Sequence, residues 1–261
     1  MDSSDRFLFV EGVLNCRRVG GYPSCFGRQG KIRDGLLYRS GHLAEITEAG
    51  YNRLQAEGVR TIFDLTSLSE HQLFTLSPTY AQLRSKIRRV PLETDQVSLK
   101  SMLQQYYMPA NLDTEHAVAK NMRFIRNASS KIGHIVTHIS TNPSEPVLIH
   151  CTLGKDRTGI LIALLLALLG VPLSTVAREY ALTTAALAEA KPTLKEYCTK
   201  VMPDLRNPDD LVKDIINARE QDMKATLHAI EQQYSSFSTL MTDHCGVSME
   251  NIESLRAHLV E

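Results

Sequence analysis

The chain predicts an α/β fold with a central, mostly parallel sheet flanked by helices, and three observations carry that expectation. Short apolar runs of β-formers recur, as in LLYRS after Gly35, VRTIFDL from Val59 to Leu65 and VLI from Val147 to Ile149. Helical stretches separate these runs, which is the alternation that crossover connections between parallel strands produce. The stretch PVLIHCTLGKDRTGILIALLLALLG then runs from a strand through a short turn straight into an apolar helix.

Taken in order, the elements are consistent with this reading. The first 45 residues carry glycines in turn-forming settings such as VGGYPS and FGRQGKIRDG, and read as loops and short extended pieces. Asp34-Gly35 leads into LLYRS as a strand. Thr47 is suited to cap a helix that runs through Glu57 and stops at Gly58. VRTIFDL follows as a central strand, and IRRVPL, Ile87 to Leu92, as the next. More than fifty residues separate Leu92 from Pro146, much longer than a usual connection. Leu99–Tyr107 and Glu115–Ser140 read as helical there, so a helical insertion is expected over roughly 96–142. Within it, Met102, Leu103, Met108 and the pair Tyr106–Tyr107 give an amphipathic stretch for which a lid over the turn and simple core packing are both open. Gly159 to Leu169 spans 11 residues, where a membrane span needs about 20, so it is a buried core helix. Pro172 and Ser174 reopen a helix through VAREYAL. The last helix, Ser248–Leu259, offers Ile252, Leu255 and Leu259 as one apolar stripe. One domain over 1–261 is expected from the length.

Composition removes several classes. Lys plus Arg and Asp plus Glu are 29 each, so no global field draws the chain to nucleic acid or to an anionic membrane. The cysteines at 16, 25, 151, 198 and 245 lack metal-ligand spacing, and MDSSDRFLFVEG is too acidic and too briefly apolar for a signal peptide. A reducing, cytoplasmic setting is expected. His134 and His138 stand at i, i+4 without the Glu that a helical zinc site carries, and no metal or cofactor is expected. The run SKIRRVP, with Lys86, Arg88 and Arg89, reads as a solvated edge.

The turn HCTLGKDRTG carries the chemistry. It sets Cys151 at the end of a buried strand and opens a helix whose first amides have no intrahelical partners, which makes a concave anion site. Arg157 closes the loop five residues beyond and can bind two oxygens of a tetrahedral oxyanion. Lys155, Arg157 and the converging amides favour a thiolate, since such surroundings bring a cysteine from about 8.5 into roughly 3.5–7.5. Cys151 is therefore the candidate nucleophile. Thr152, Leu153, Gly154 and Lys155 line the cradle, Gly154 allowing close backbone approach, and Thr158 is suited to hydrogen-bond the sulfur.

This loop resembles that of the cysteine-dependent phosphatases of the protein tyrosine phosphatase superfamily. Its form HCxxGKDRTG is most similar to the atypical branch that holds bacterial triple-specificity phosphatases and fungal relatives. NCRRVGGY (Asn15 to Tyr22), GLLYRSGHL (Gly35 to Leu43), IFDLTSLSE (Ile62 to Glu70) and AREQDMKATL resemble the branch's other ordered blocks. Two positions depart: Arg18 stands where the branch has Asp, and Thr66 where it has Arg. The resemblance implies a phosphatase fold and phosphomonoester hydrolysis through a cysteinyl-phosphate, with no cofactor. The Trp-Pro-Asp loop that usually supplies the proton is excluded, because the chain has no Trp. Asp156, inside the loop, is the favoured acid, with Asp95 and Asp64 as alternatives. Relaxed tyrosine phosphatase specificity is expected, with a phosphorylated protein as partner. A phosphoinositide or inositol phosphate is the alternative substrate, Lys155 serving as an extra cation and Tyr22, Tyr106 and Tyr107 as aromatic walls. A phosphate-binding module without turnover is the remaining class.

Overall fold

The computed structural model describes residues 6–92 and 113–261. The predicted helix Leu99–Tyr107, its aromatic pair and Asp95 lie outside the described residues. Among the described residues the sheet has five strands, β1 (Arg17–Arg18), β2 (Leu37–Ser40), β3 (Thr61–Asp64), β4 (Ile87–Arg89) and β5 (Val147–His150), in the order β1-β2-β5-β3-β4. Only β1 runs antiparallel; β2, β5, β3 and β4 are parallel neighbours. The chain leaves an empty slot between β2 and β3, and β5 fills it more than eighty residues later. The sheet edges are very short strands and β4 carries Arg88 and Arg89, features that discourage pairing with another chain.

Among the described residues the α-helices of four or more residues are α1 (Glu48–Ala56), α2 (Leu68–His71), α3 (Tyr80–Leu83), α4 (Thr114–Thr141), α5 (Asp156–Leu168), α6 (Leu173–Ala186), α7 (Lys191–Val201), α8 (Pro208–Ile216), α9 (Glu220–Tyr234) and α10 (Met249–Leu259). Thr47 caps α1 by accepting from the Gly50 amide, and Gly58 stops it at a φ of 75°. Strand alternation divides the core in two. Tyr38, Ile62 and Leu148 face α1 and α3 with Leu43, Ile46 and Leu54, while Leu37, Phe63, Val147 and Ile149 face α4 and α5. Helix α5 is buried on nearly all sides, as its unbroken apolar sequence requires. Each buried leucine there contributes about 1.5–3 kcal/mol.

The described part of the expected insertion is core. Helix α4 buries Met122, Ile125, Ala128, Ile132, Ile135, Val136 and Ile139 against the sheet and the carboxyl-terminal helices α9 and α10. Ile252, Leu255 and Leu259 of α10 are buried, the stripe expected of them. A smaller cluster joins α7 to α8 through Leu187, Cys198, Leu211, Val212, Ile215 and Ile216, and Leu153 packs onto it. Among the described residues no helix is long and apolar enough to cross a membrane.

Helix α4 approaches the segment before α10 so closely that a Cβ at Gly133 would stand 1.8 Å from the Cys245 carbonyl oxygen. Gly133→Ala is therefore expected to destabilise the protein by about 1–3 kcal/mol or more, despite the better helix propensity of alanine, and urea unfolding of the two proteins checks this.

Candidate active site

Strand order fixes where chemistry can gather. Ser40, Asp64 and His150 are in register, so β2, β3 and β5 end level, and the crevice at their carboxyl ends lies where the chain reversed its direction of winding. Cys151 follows β5 directly and is buried. The segments after β2 and β3 flank it: the His42 amide donates to the Thr152 carbonyl, and Glu70 of α2 reaches the loop from the other side.

The loop backbone is shaped as an anion cradle. Gly154 has a φ of 67° and Lys155 a right-handed conformation, a sign-alternating pair of the kind that makes successive amides converge. Gly154 is also forced by space, because a Cβ there would lie 2.3 Å from the Ser40 carbonyl oxygen. Gly159, in the first turn of α5, lets the Tyr180 ring of α6 approach to 2.8 Å of its missing Cβ. The amides of Thr152, Leu153 and Gly154 donate to no described residue.

Arg157 lies flat against Glu70, with Nη1 to Oε2 and Nη2 to Oε1 both at 2.5 Å. The acid is placed by its own helix start: Ser67 and Glu70 form a capping box for α2, Ser67 accepting from the Glu70 amide while Oε2 accepts from the Ser67 amide. Thr152 Oγ1 donates to Oε1 at 2.7 Å, tying the cradle to the same carboxylate. Burial alone would raise the Glu70 pKa, but Arg157, the Ser67 amide and the Thr152 hydroxyl together bring it from 4.5 to about 2.

Behind the loop lies a buried charged network. Arg17 and Arg39 stand opposite each other across β1 and β2, both fully buried, and share Glu179 of α6, Arg17 Nε to Oε1 at 2.8 Å and Arg39 Nη1 to Oε2 at 2.6 Å. Burial raises and the two guanidinium charges lower the Glu179 pKa, the latter prevailing. Burial and the Arg17 charge push Arg39 down to about 10, opposed by Glu179 and by the nearby Cys151. The network ends on the loop itself. Arg39 Nη2 donates to the Gly154 carbonyl at 2.6 Å, and Asn15 Nδ2 donates to the carbonyls of Leu153 at 2.9 Å and Gly154 at 3.1 Å.

Several residues singled out in the sequence have partners that bear on their roles. Lys155 is buried and its ammonium donates to the carbonyls of Ile215 at 2.6 Å and Asp214 at 3.3 Å at the end of α8; burial brings it from 10.5 down to about 8. Asp156 accepts from Lys120 of α4 at 2.9 Å, an ion pair that holds the loop to that helix. The Thr158 hydroxyl is buried and makes no hydrogen bond among the described residues, to Cys151 or otherwise. Asp64 is buried, accepts the Thr66 amide and hydroxyl, and meets Arg89 at 3.3 Å. Of the two departing positions, Arg18 stands on β1 and Thr66 just after β3, two elements kept apart by β2 and β5; Arg18 pairs instead with Glu57 at the end of α1. Tyr22 is no wall of the cradle: it is buried in the core with the Arg6 guanidinium 3.9 Å above its ring. Among the described residues no cluster of histidine, cysteine and carboxylate is arranged to hold a metal.

A tyrosine phosphatase family model matches residues 8–261. The chain belongs to the tyrosine phosphatase family. It is thus a hydrolase, and the sheet and loop described above are its phosphatase fold. A tyrosine-protein phosphatase of Nostoc commune is 27% identical over 242 residues, covering 91% of this chain and 78% of the relative. The triple specificity protein phosphatase PtpB of Mycobacterium tuberculosis is 22% identical over 259 residues, covering 88% and 92%. The core catalytic domain of the PP-IP phosphatase SIW14 from S. cerevisiae is 15% identical with a TM-score of 0.33, over 76% of this chain and 88% of that one, a likeness too slight to argue from.

The Glu70–Arg157 pair has a definite pH signature. Because the folded pKa of Glu70 is depressed, its contribution to stability is fully present above about 4.5 and is lost as pH falls through about 2. Glu70→Gln removes the carboxylate that pairs with Arg157 and is expected to cost about 3–5 kcal/mol near pH 7. The gap from wild type closes as pH falls towards 2, which unfolding curves at a series of pH values measure.

Proposed function

We propose that this phosphatase acts on phosphotyrosine with relaxed specificity, through a phosphorylated Cys151. The observation that carries the reading is the conjunction of Cys151, at the carboxyl edge of the central strand, with the flat Arg157 fork that Glu70 holds beside it. The sulfur attacks phosphorus, the bond from phosphorus to the leaving oxygen breaks, and that oxygen takes a proton. Arg157 and the amides of Thr152, Leu153, Gly154 and Lys155 bind the equatorial oxygens as charge builds on them. Water then attacks the same phosphorus, the S–P bond breaks, and inorganic phosphate leaves.

Asp156 is the acid in this reading. Its carboxyl is about one-third exposed, and Lys120 holds it in one orientation beside the loop. Asp64 is less suited, since it is sealed from solvent and already accepts from Thr66. Lys155 is assigned to loop support rather than to a second phosphate, because its ammonium points into the end of α8. The balanced charge and the free cysteines support a cytoplasmic setting with a phosphorylated protein as partner.

The test compares kcat/KM on a phosphotyrosine peptide, a phosphoserine peptide and a panel of inositol phosphates and phosphoinositides. Preference for the tyrosine peptide is expected, and a preference of about 100-fold or more for an inositol substrate overturns the specificity. Cys151→Ser is expected to abolish turnover while keeping phosphate affinity, and Arg157→Ala to lose both; a wild type that binds phosphate without hydrolysing any ester would be a binding module. Asp156→Asn is expected to slow substrates with poor leaving groups by about 100-fold and to spare p-nitrophenyl phosphate.

A further inference from the structure

Catalysis by a backbone cradle requires the amides to be aimed before substrate arrives, and something must hold their peptide planes. In a trans peptide the carbonyl and the N–H point in opposite directions. The plane joining Leu153 to Gly154 has its carbonyl bound by Asn15, and the plane joining Gly154 to Lys155 has its carbonyl bound by both Asn15 and Arg39. The N–H groups of Gly154 and Lys155 are thereby turned away from the network, in the sign-alternating backbone pair that makes amides converge.

On the reading proposed above, the geometry points to Asn15 and Arg39 as positioning residues that bind two loop carbonyls from behind and so aim the amides of Gly154 and Lys155 at the phosphoryl oxygens. The rest of the network fixes these two. Arg39 is oriented by Glu179, while Arg17 donates to Asn15 Oδ1, to Thr183 Oγ1 and to Glu179. Asn15 itself has a φ of 57°, a conformation that asparagine and glycine tolerate best, so its amide is presented by a backbone turn chosen for it. Two guanidinium groups share one carboxylate, which leaves a net positive charge directly behind an anion-binding loop.

The backbone conformation at Asn15 supplies a clean variant, because Asn15→Gly deletes the amide without forcing a β-carbon into the left-handed region. Arg39→Lys keeps the charge but cannot span both Glu179 and the Gly154 carbonyl. The readout is the dissociation constant for orthovanadate by titration calorimetry, which does not depend on how much of a sample is folded or on turnover. Both variants are expected to bind about 10-fold or more weakly, with kcat/KM on p-nitrophenyl phosphate falling at least as far. A dissociation constant within about 2-fold of wild type in Asn15→Gly overturns the inference, whatever happens to its melting temperature. If Asn15→Gly does not fold, the same threshold is applied to Arg39→Lys. A wild type that binds vanadate but hydrolyses nothing sinks the proposed function and leaves the vanadate comparison to decide the positioning role on its own.

Discussion

A guanidinium buried among the elements around Cys151 has to be neutralised, and the two-pronged Glu70–Arg157 pair does so. The pair is planar and two-pronged, which fixes the plane of the guanidinium. Glu70 in turn is held by Ser67 and Thr152, so its carboxylate cannot swing away with Arg157 or into the cradle. This ties the short helix after β3 to the loop after β5. The level ends of those two strands bring the segments within reach, and the pair locks them.

A second constraint is the absence of space. Gly154 touches the backbone after β2, Gly159 touches the Tyr180 ring, and Leu153 enters the α7–α8 cluster. The loop is therefore held against the end of β2, against α6 and against the α7–α8 pair. Lys155 adds to the last of these clamps by satisfying carbonyls at the end of α8, which the helix leaves without intrahelical donors. Rigidity of this kind lets amides act without reorganising when charge develops.

How much of this was legible in the sequence depended on whether the signal was local. Strands β2 to β5, the Thr47 cap, the buried α5 and the strand–loop–helix turn all follow from neighbouring residues, and Cys151, Arg157 and Gly154 stand out by spacing and chemistry. Glu70 was not singled out; its spacing from Ser67 is that of a capping box, but that it also reaches Arg157 depends on β3 lying beside β5. Asn15 and Arg39 fall inside NCRRVGGY and GLLYRSGHL, stretches that resemble the branch's ordered blocks, but nothing local shows that they and Glu179 are buried together behind the loop, which depends on the sheet order. The partners of Asp156 and Lys155 were hidden for the same reason. Lys120 and the end of α8 come from elements far along the chain, and only packing brings them to the loop.

Two arginines on one glutamate is a costly way to fill a core. Removing three charges from water is repaid only where the remaining hydrogen bonds are nearly all made, and apolar residues of equal volume would often stabilise the protein more. Even so, Arg39 Nε and the Tyr22 hydroxyl near the network have no hydrogen-bond partner among the described residues. A purely structural role would favour replacing the whole cluster by leucine and methionine. What apolar residues cannot do is bind the carbonyls of Leu153 and Gly154, or set a positive charge behind Cys151 where substrate cannot screen it. The stability forgone behind the loop is thus matched by a field and a backbone geometry in front of it, where phosphate would bind.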